Sequence, residues 1–277
     1  MATEDEFDAI RNDPDPIRRG QRAGELIAVY QQRSAELARL RRAAIEQANR
    51  DLGLSFSEIG DRLGLTKGRI SQIRTSAPPP ERAFFGVGPV AIGVPRRIGL
   101  EEGRERAFID SNDEATRDSL QRKLSDLSLT TTQFGINPDT EQVPAGDCII
   151  VCGPKSAPVA RHLLADDPLL AFDRSESGWS IIDRREDGRH FSPFRTDGTR
   201  KDIGYLSRRI SDNRVIVHIA GITAVGSEGV AHWLNTNLAT VYDPTAQLTD
   251  CIIECEFDQD LHVTGSWLLV GPYSVAS

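Results

Sequence analysis

Residues Phe56–Thr75 read FSEIGDRLGLTKGRISQIRT, and their spacing dictates a tight corner between two short helices. A first helix presents Ile59 and Leu63, four residues apart on one face, to a core. Gly60 between them leaves room for close approach by a second helix. Gly64 ends the first helix, because glycine enters the left-handed region at little cost. Thr66 caps the second helix, and Ile70 and Ile73 supply its buried seam. The other face carries Thr66, Lys67, Gly68, Arg69, Ser71, Gln72, Arg74 and Thr75, which are polar, small or basic. None is acidic, as a surface facing phosphates and base edges requires.

This stretch resembles the helix-turn-helix of bacterial repressors and of region 4 of sigma factors. The resemblance implies that Thr66, Lys67, Gly68, Ser71 and Gln72 face base edges at the front of a recognition helix in the major groove of double-stranded DNA. Gln72 suits an adenine edge, and Lys67 suits guanine acceptors or a phosphate. Arg69 and Arg74 are better placed for the backbone phosphates, and Thr75 completes the DNA-binding face.

Outward from the corner, Asp15-Pro16 is a helix start, with a capping carboxylate and a proline at the first helical position. Residues 17–51 contain no proline and carry Leu26, Val29, Leu37, Leu40, Ala44, Ile45 and Ala48, so they form one long helix, or two broken near Ser34. The later half covers the two-helix corner. The earlier half keeps a spare apolar stripe, which either joins two copies in a homodimer or packs on the chain's own second half. Gly53 closes the helix, and Ser55-x-x-Glu58 is a capping box for the next. Ser76-Ala-Pro-Pro-Pro80 then favours an extended spacer. The expected division is a helical DNA-binding domain over 1–75, a proline-rich linker over 76–82 and an α/β domain over 83–277.

Charge follows the same division. The 277-residue chain has a net charge of −8. Residues 16–75 hold twelve basic and six acidic side chains, whereas residues 81–277 hold twenty and twenty-nine. The positive field is thus confined to the segment that carries the corner. With 39% hydrophobic and 27% charged residues the chain reads as globular. No apolar run reaches membrane-spanning length, and MATEDEFDAI lacks the layout of a signal peptide. A cytoplasmic location is expected.

In the second half, Val90–Val94, Thr130–Ile136, Cys148–Cys152, Val215–Ala220, Cys251–Phe257 and Val263–Val270 read as strands, with Leu169–Phe172, Trp179–Asp183 and His190–Phe194 as a meander. Helices are expected over 113–127, 159–164 and from Ser227 or Glu228 to Tyr242. The result is an open mixed sheet with helices on its faces. Two buried strands run into glycine-containing loops, Gly153-Pro-Lys-Ser-Ala-Pro158 and Gly221-Ile-Thr-Ala-Val-Gly226. In such sheets ligands bind beyond the carboxyl ends of the strands. Gly153, Lys155, Ser156, Gly221, Thr223, Gly226 and Ser227 are therefore candidate ligand residues, joined by Arg195 and Arg209, whose guanidinium groups suit phosphate or carboxylate. The glycines also serve plain tight turns, and neither loop is a Walker A or GxGxxG motif.

The cysteines repeat in Asp147–Cys152 (DCIIVC) and Asp250–Cys255 (DCIIEC). On a strand the two thiols of one fragment lie roughly 13 Å apart, too far to share a zinc. No metal and no cofactor is assigned, and the cysteines read as small buried hydrophobes. The five histidines lack ligand spacing. His218 reads as a core residue, and Glu228 is the one carboxylate placed to act as a base or, more simply, as a helix cap.

The whole resembles a group of actinobacterial DNA-binding proteins that join a region-4-like helix-turn-helix to an α/β domain with "CGP" and "AGI-x-x-x-G" loops, here Cys152–Pro154 and Gly221–Gly226. That resemblance implies neither a ligand nor an activity. The leading expectation is a transcription regulator that senses a small anionic or nucleotide-like effector. An enzyme acting on nucleotides or sugar phosphates and a module that docks on the transcription machinery are the alternatives.

Overall fold

The computed structural model describes residues 4–101 and 103–276. Helix α1 (Glu4–Arg11) precedes α2 (Pro16–Asp51), an unbroken helix of 36 residues. No break occurs at Ser34, because nothing there interrupts the backbone ladder. The Asp15 side chain accepts from the amides of Ile17 and Arg18, as its position before Pro16 dictates. Helices α3 (Phe56–Leu63) and α4 (Lys67–Ser76) follow.

The caps form as their residue types require. Ser55 and Glu58 complete a reciprocal capping box, Gly64 sits at φ +65°, and Thr66 accepts from the Arg69 amide. Ile45 of α2 joins Ile59, Ile70 and Ile73 in a small core, with Leu54, Phe56 and Leu65 around it. Leu63, expected in that core, is 52% exposed. Leu65, just past the Gly64 turn, packs there in its place. A methyl group at Gly60 would meet the Leu65 carbonyl at 2.7 Å, so the turn itself presses on that glycine.

Past Pro79 the chain enters a 3-10 helix, Pro80–Phe85, that buries Arg82, Phe84 and Phe85. Phe84 and Phe85 belong to the main core of the sheet. Arg82 donates to the Gln32 side chain at 2.8 Å and to the Val87 carbonyl at 2.9 Å, and lies 3.3 Å from Glu36. The Gln32 amide in turn donates to Thr130 at 3.0 Å. The proline stretch thus ends in structure packed between α2 and the sheet.

The second half is built from β1 (Val90–Pro95), a hairpin of β2 (Arg97–Glu101) and β3 (Arg104–Phe108), α5 (Ser111–Asp126), β4 (Thr131–Ile136), β5 (Cys148–Val151) and α6 (Pro158–Ala165). A meander of β6 (Leu170–Ser175), β7 (Gly178–Asp183) and β8 (Gly188–Phe191) follows, then the short α7 (Pro193–Thr196). Strand β9 (Lys201–Ser211), β10 (Arg214–Gly221), α8 (Ala224–Val241), β11 (Ala246–Phe257) and β12 (Val263–Ala276) complete the chain.

Seven strands form one mixed sheet in the order β12-β11-β9-β10-β5-β1-β4. β4, β1, β5 and β10 are mutually parallel, and β9, β11 and β12 join antiparallel. Alternation along β5 divides the two cores. Ile149 and Val151 pack with Leu120 and Leu124 of α5 and Leu234 and Leu238 of α8 on one face. Cys148 and Ile150 pack with Val159, Ala160 and Leu163 of α6 on the other. The meander covers the remainder of that second face through Leu170 and Ile181, against Tyr205 and Ile252.

Strand β9 takes up Lys201–Ser211, so Arg209, expected among the ligand residues, lies within the sheet. Its Arg208 is buried because three carbonyls, of Ala246, Phe84 and Ala83, accept its guanidinium. All four cysteines are buried. Burial pushes the Cys148 and Cys152 thiols up to about 12, which suits inert apolar packing. Among the described residues no helix is long and apolar enough to cross a membrane.

Candidate functional site

The first candidate surface is α4. With Ile70 and Ile73 buried, the helical period turns Lys67, Gly68, Arg69, Ser71, Gln72 and Thr75 to solvent, together with Thr66 at the cap. Arg69 donates to the Gln72 side-chain oxygen at 2.6 Å, so these two side chains are oriented by each other. Thr75 and Ser76 fold their hydroxyls back onto the Gln72 carbonyl. Arg74, read as a free phosphate contact, instead stacks its guanidinium 3.9 Å from the centre of the Phe56 ring and is half-buried. The aromatic face stabilises that cation and fixes it at the corner. The Thr66 hydroxyl is likewise committed to its cap.

The second candidate lies at the carboxyl ends of β1, β5 and β10. The helix after β1 crosses one face of the sheet and the helix after β5 crosses the other, so the chain parts at this edge and leaves a crevice. The cleft has a volume of about 520 Å³ and is lined by Gly153, Lys155, Ser156, Arg195, Gly221, Thr223 and Ser227, as the sequence expects. Arg96, Arg97, Asp110 and Asp113 also line it. Sequence reading misses these four because they stand at the end of β1 and the start of α5, far along the chain from the glycine loops. The signal available was a pair of arginines directly after an apolar strand.

Two expected ligand residues lie elsewhere. Arg209 pairs with Ile216 in the interior of the sheet, and its guanidinium donates to the Leu163 carbonyl at 2.8 Å. Gly226 is in the first turn of α8, which begins at Ala224 and not at Ser227 or Glu228. A side chain at Gly226 would meet the Ile203 carbonyl at 2.3 Å, so this glycine lets α8 sit directly on β9. Ser227 accepts from the Gly221 amide at 2.8 Å and holds the strand-to-helix turn. Glu228 accepts from Asn112 at 2.7 Å, which ties α8 to α5.

The amino end of α8 is already satisfied. Asp202 of β9, fully buried, accepts from the Thr223 amide and the Gly226 amide at 3.1 Å and from the Thr223 hydroxyl at 2.6 Å. An internal carboxylate therefore offsets the helix dipole, and an anion in the cleft depends on side-chain cations instead. Lys155 is exposed as a residue, yet its ammonium end reaches inward and donates to the Ile222 carbonyl at 2.7 Å. Burial of that end and the nearby Arg195 charge lower its pKa from the usual lysine value. Arg97 sits 2.9 Å from Asp113 and 3.7 Å from Asp110. Burial raises the Asp113 pKa, while the Arg97 guanidinium opposes that rise. The chain matches no protein-family model, no curated protein and no solved structure.

Proposed function

We propose that this chain is a cytoplasmic DNA-binding transcription regulator whose α/β half senses a small anion. The observation that carries the reading is the division of α4: Ile70 and Ile73 are locked into a core while Lys67, Arg69, Ser71 and Gln72 face outward on a helix with no acidic residue. The two capped helices around Gly64 supply the helix-turn-helix geometry, and α2 is the third helix behind it. Phosphate attraction supplies affinity through Lys67 and Arg69, and Gln72 supplies base preference.

Sensing follows from α8. Its first turn lines the cleft, and it extends about 27 Å at 1.5 Å per residue to Tyr242, whose neighbours include Arg39 and Glu36 of α2. A ligand that favours one setting of α8 against β9 would bias α2 and the helices it supports. On the earlier half of α2, Ile17, at 71% exposure, and Ile27, at 56%, leave apolar surface suited to a second copy of this chain. A homodimer would present two α4 helices to two half-sites.

The reading is tested by selecting bound sequences from a random duplex pool with the full chain and with Gln72→Ala. The reading expects a defined motif that relaxes at one position in the variant. Failure to enrich any sequence would overturn it.

A further inference from the structure

The cleft is electrically divided, and the division specifies its occupant. One lip is the start of α5, on the face shared with α8, and carries Asp110 and Asp113 with Arg97 between them. The other lip carries Lys155, on the turn into α6, and Arg195, on α7. Among the described residues neither Lys155 nor Arg195 has a carboxylate within ion-pair distance. Arg195 lies 5.7 Å from the Phe194 ring, and Lys155 is held by a carbonyl. The cationic lip thus offers two charges with no ion-pair partner among the described residues, while the opposite lip offers carboxylate oxygens beside Arg96 and Arg97, with the Asp110 side chain 31% exposed.

We propose that the cleft binds a polyol phosphate, a molecule with one phosphoryl group at one end and hydroxyl groups at the other, such as a sugar phosphate or the ribosyl phosphate end of a nucleotide. This deepens the anion-sensing reading and rests on it. The phosphoryl group pairs with Arg195 and Lys155, where guanidinium and ammonium give charge-assisted bonds. The hydroxyls donate to Asp110 and Asp113, which as carboxylates are acceptors only. A molecule anionic at both ends is disfavoured, because its second anion would face the α5 carboxylates. The volume of about 520 Å³ lies within the range of small-molecule sites.

The test uses the full chain and calorimetric titration with ribose 5-phosphate, adenosine 5′-monophosphate, ribose, inorganic phosphate and citrate. The proposal expects one or both phosphate esters to bind at least about tenfold tighter than ribose, phosphate or citrate. Tighter binding of the nucleotide than of the sugar phosphate identifies the nucleotide as the source, and the reverse order identifies the sugar. Arg195→Ala should weaken the preferred ester about tenfold or more, while Asp113→Asn should narrow the gap between ribose 5-phosphate and 2-deoxyribose 5-phosphate. Unchanged melting temperatures of the free variants separate lost contacts from lost folding. Equal affinity for inorganic phosphate and the esters would overturn the proposal. Binding of citrate alone would overturn it too, yet would leave anion sensing standing; binding of none of these probes overturns it without touching the DNA reading, which the selection experiment measures separately.

Discussion

The Arg82 guanidinium donates to the Gln32 side chain at 2.8 Å, and both residues are buried between the long helix and the sheet. This contact joins residues fifty positions apart, and the Arg82 contact to Glu36 adds a second link to the same helix. The helical part and the sheet are therefore held as neighbours by a polar bond that burial makes expensive to break.

Removing either partner should be costly and non-additive. Gln32→Ala leaves Arg82 short of an acceptor and should cost about 1–3 kcal/mol. Arg82→Ala leaves the Gln32 and Val87 acceptors unmatched, while Glu36 keeps its pair with Arg39, and should cost about 1–3 kcal/mol. In chemical denaturation the double variant should lose less than the two single losses added together, by about 0.5–3 kcal/mol. Strict additivity would show that the two side chains act independently.

The corner between α3 and α4 depends on backbone more than on packing. Gly64 is held at φ +65° with open space around it, so Gly64→Ala should cost about 1 kcal/mol through strain alone. Thr66→Ala should cost about 1 kcal/mol through the lost cap, and Thr66→Ser should restore most of it. Thermal melting of the three variants checks the order.

Stability should be nearly level between about pH 4 and 6.5, where two buried groups oppose each other, and should decline from there towards about pH 8. Asp250 is fully buried in β11, and neither carboxylate oxygen has a hydrogen-bond partner among the described residues. Burial first, and then the charge of Asp167, raise its pKa from 3.8 to about 8. Between those values the folded chain keeps a proton that the unfolded chain releases, so stability declines as pH rises through that window. His218, buried beside Tyr205 with its Nε2 2.8 Å from the Cys152 carbonyl, is pushed down from 6.5 to about 4, chiefly by burial. Here the unfolded chain binds the extra proton, so stability is lost as pH falls from about 6.5 to about 4. Asp250→Asn should flatten the decline above about pH 6.5 and uncover a loss of stability below it, where His218 then acts unopposed. Denaturation midpoints from pH 4 to 9 measure both effects; an unchanged decline above about pH 6.5 in the variant would assign that loss to other groups.

Local chemistry was the legible part of the sequence. Asp15-Pro16, Ser55 with Glu58, Gly64 and Thr66 act on amides within a few residues, so their roles can be read without the fold. The open mixed sheet was legible because its strands are apolar runs such as CIIV. Strand β9 was not, since KDIGYLSRRIS reads as surface until distant carbonyls are found for Arg208. The acidic lip escaped for the same reason: Arg97 and Asp113 belong to the cleft only because α5 crosses the sheet beside α8. Leu63 lies outside the core that its spacing predicts, because a four-residue spacing marks a face, while the position of the turn decides where that face ends.

The most direct test of the central claim is the salt dependence of affinity for one selected duplex, measured by fluorescence anisotropy with the full chain and with Lys67→Ala and Arg69→Ala. Each variant should bind more weakly and reduce the slope of log affinity against log salt by about 1, as expected for one lost phosphate contact. Superimposable curves for all three proteins would contradict the assignment of α4 to the DNA surface.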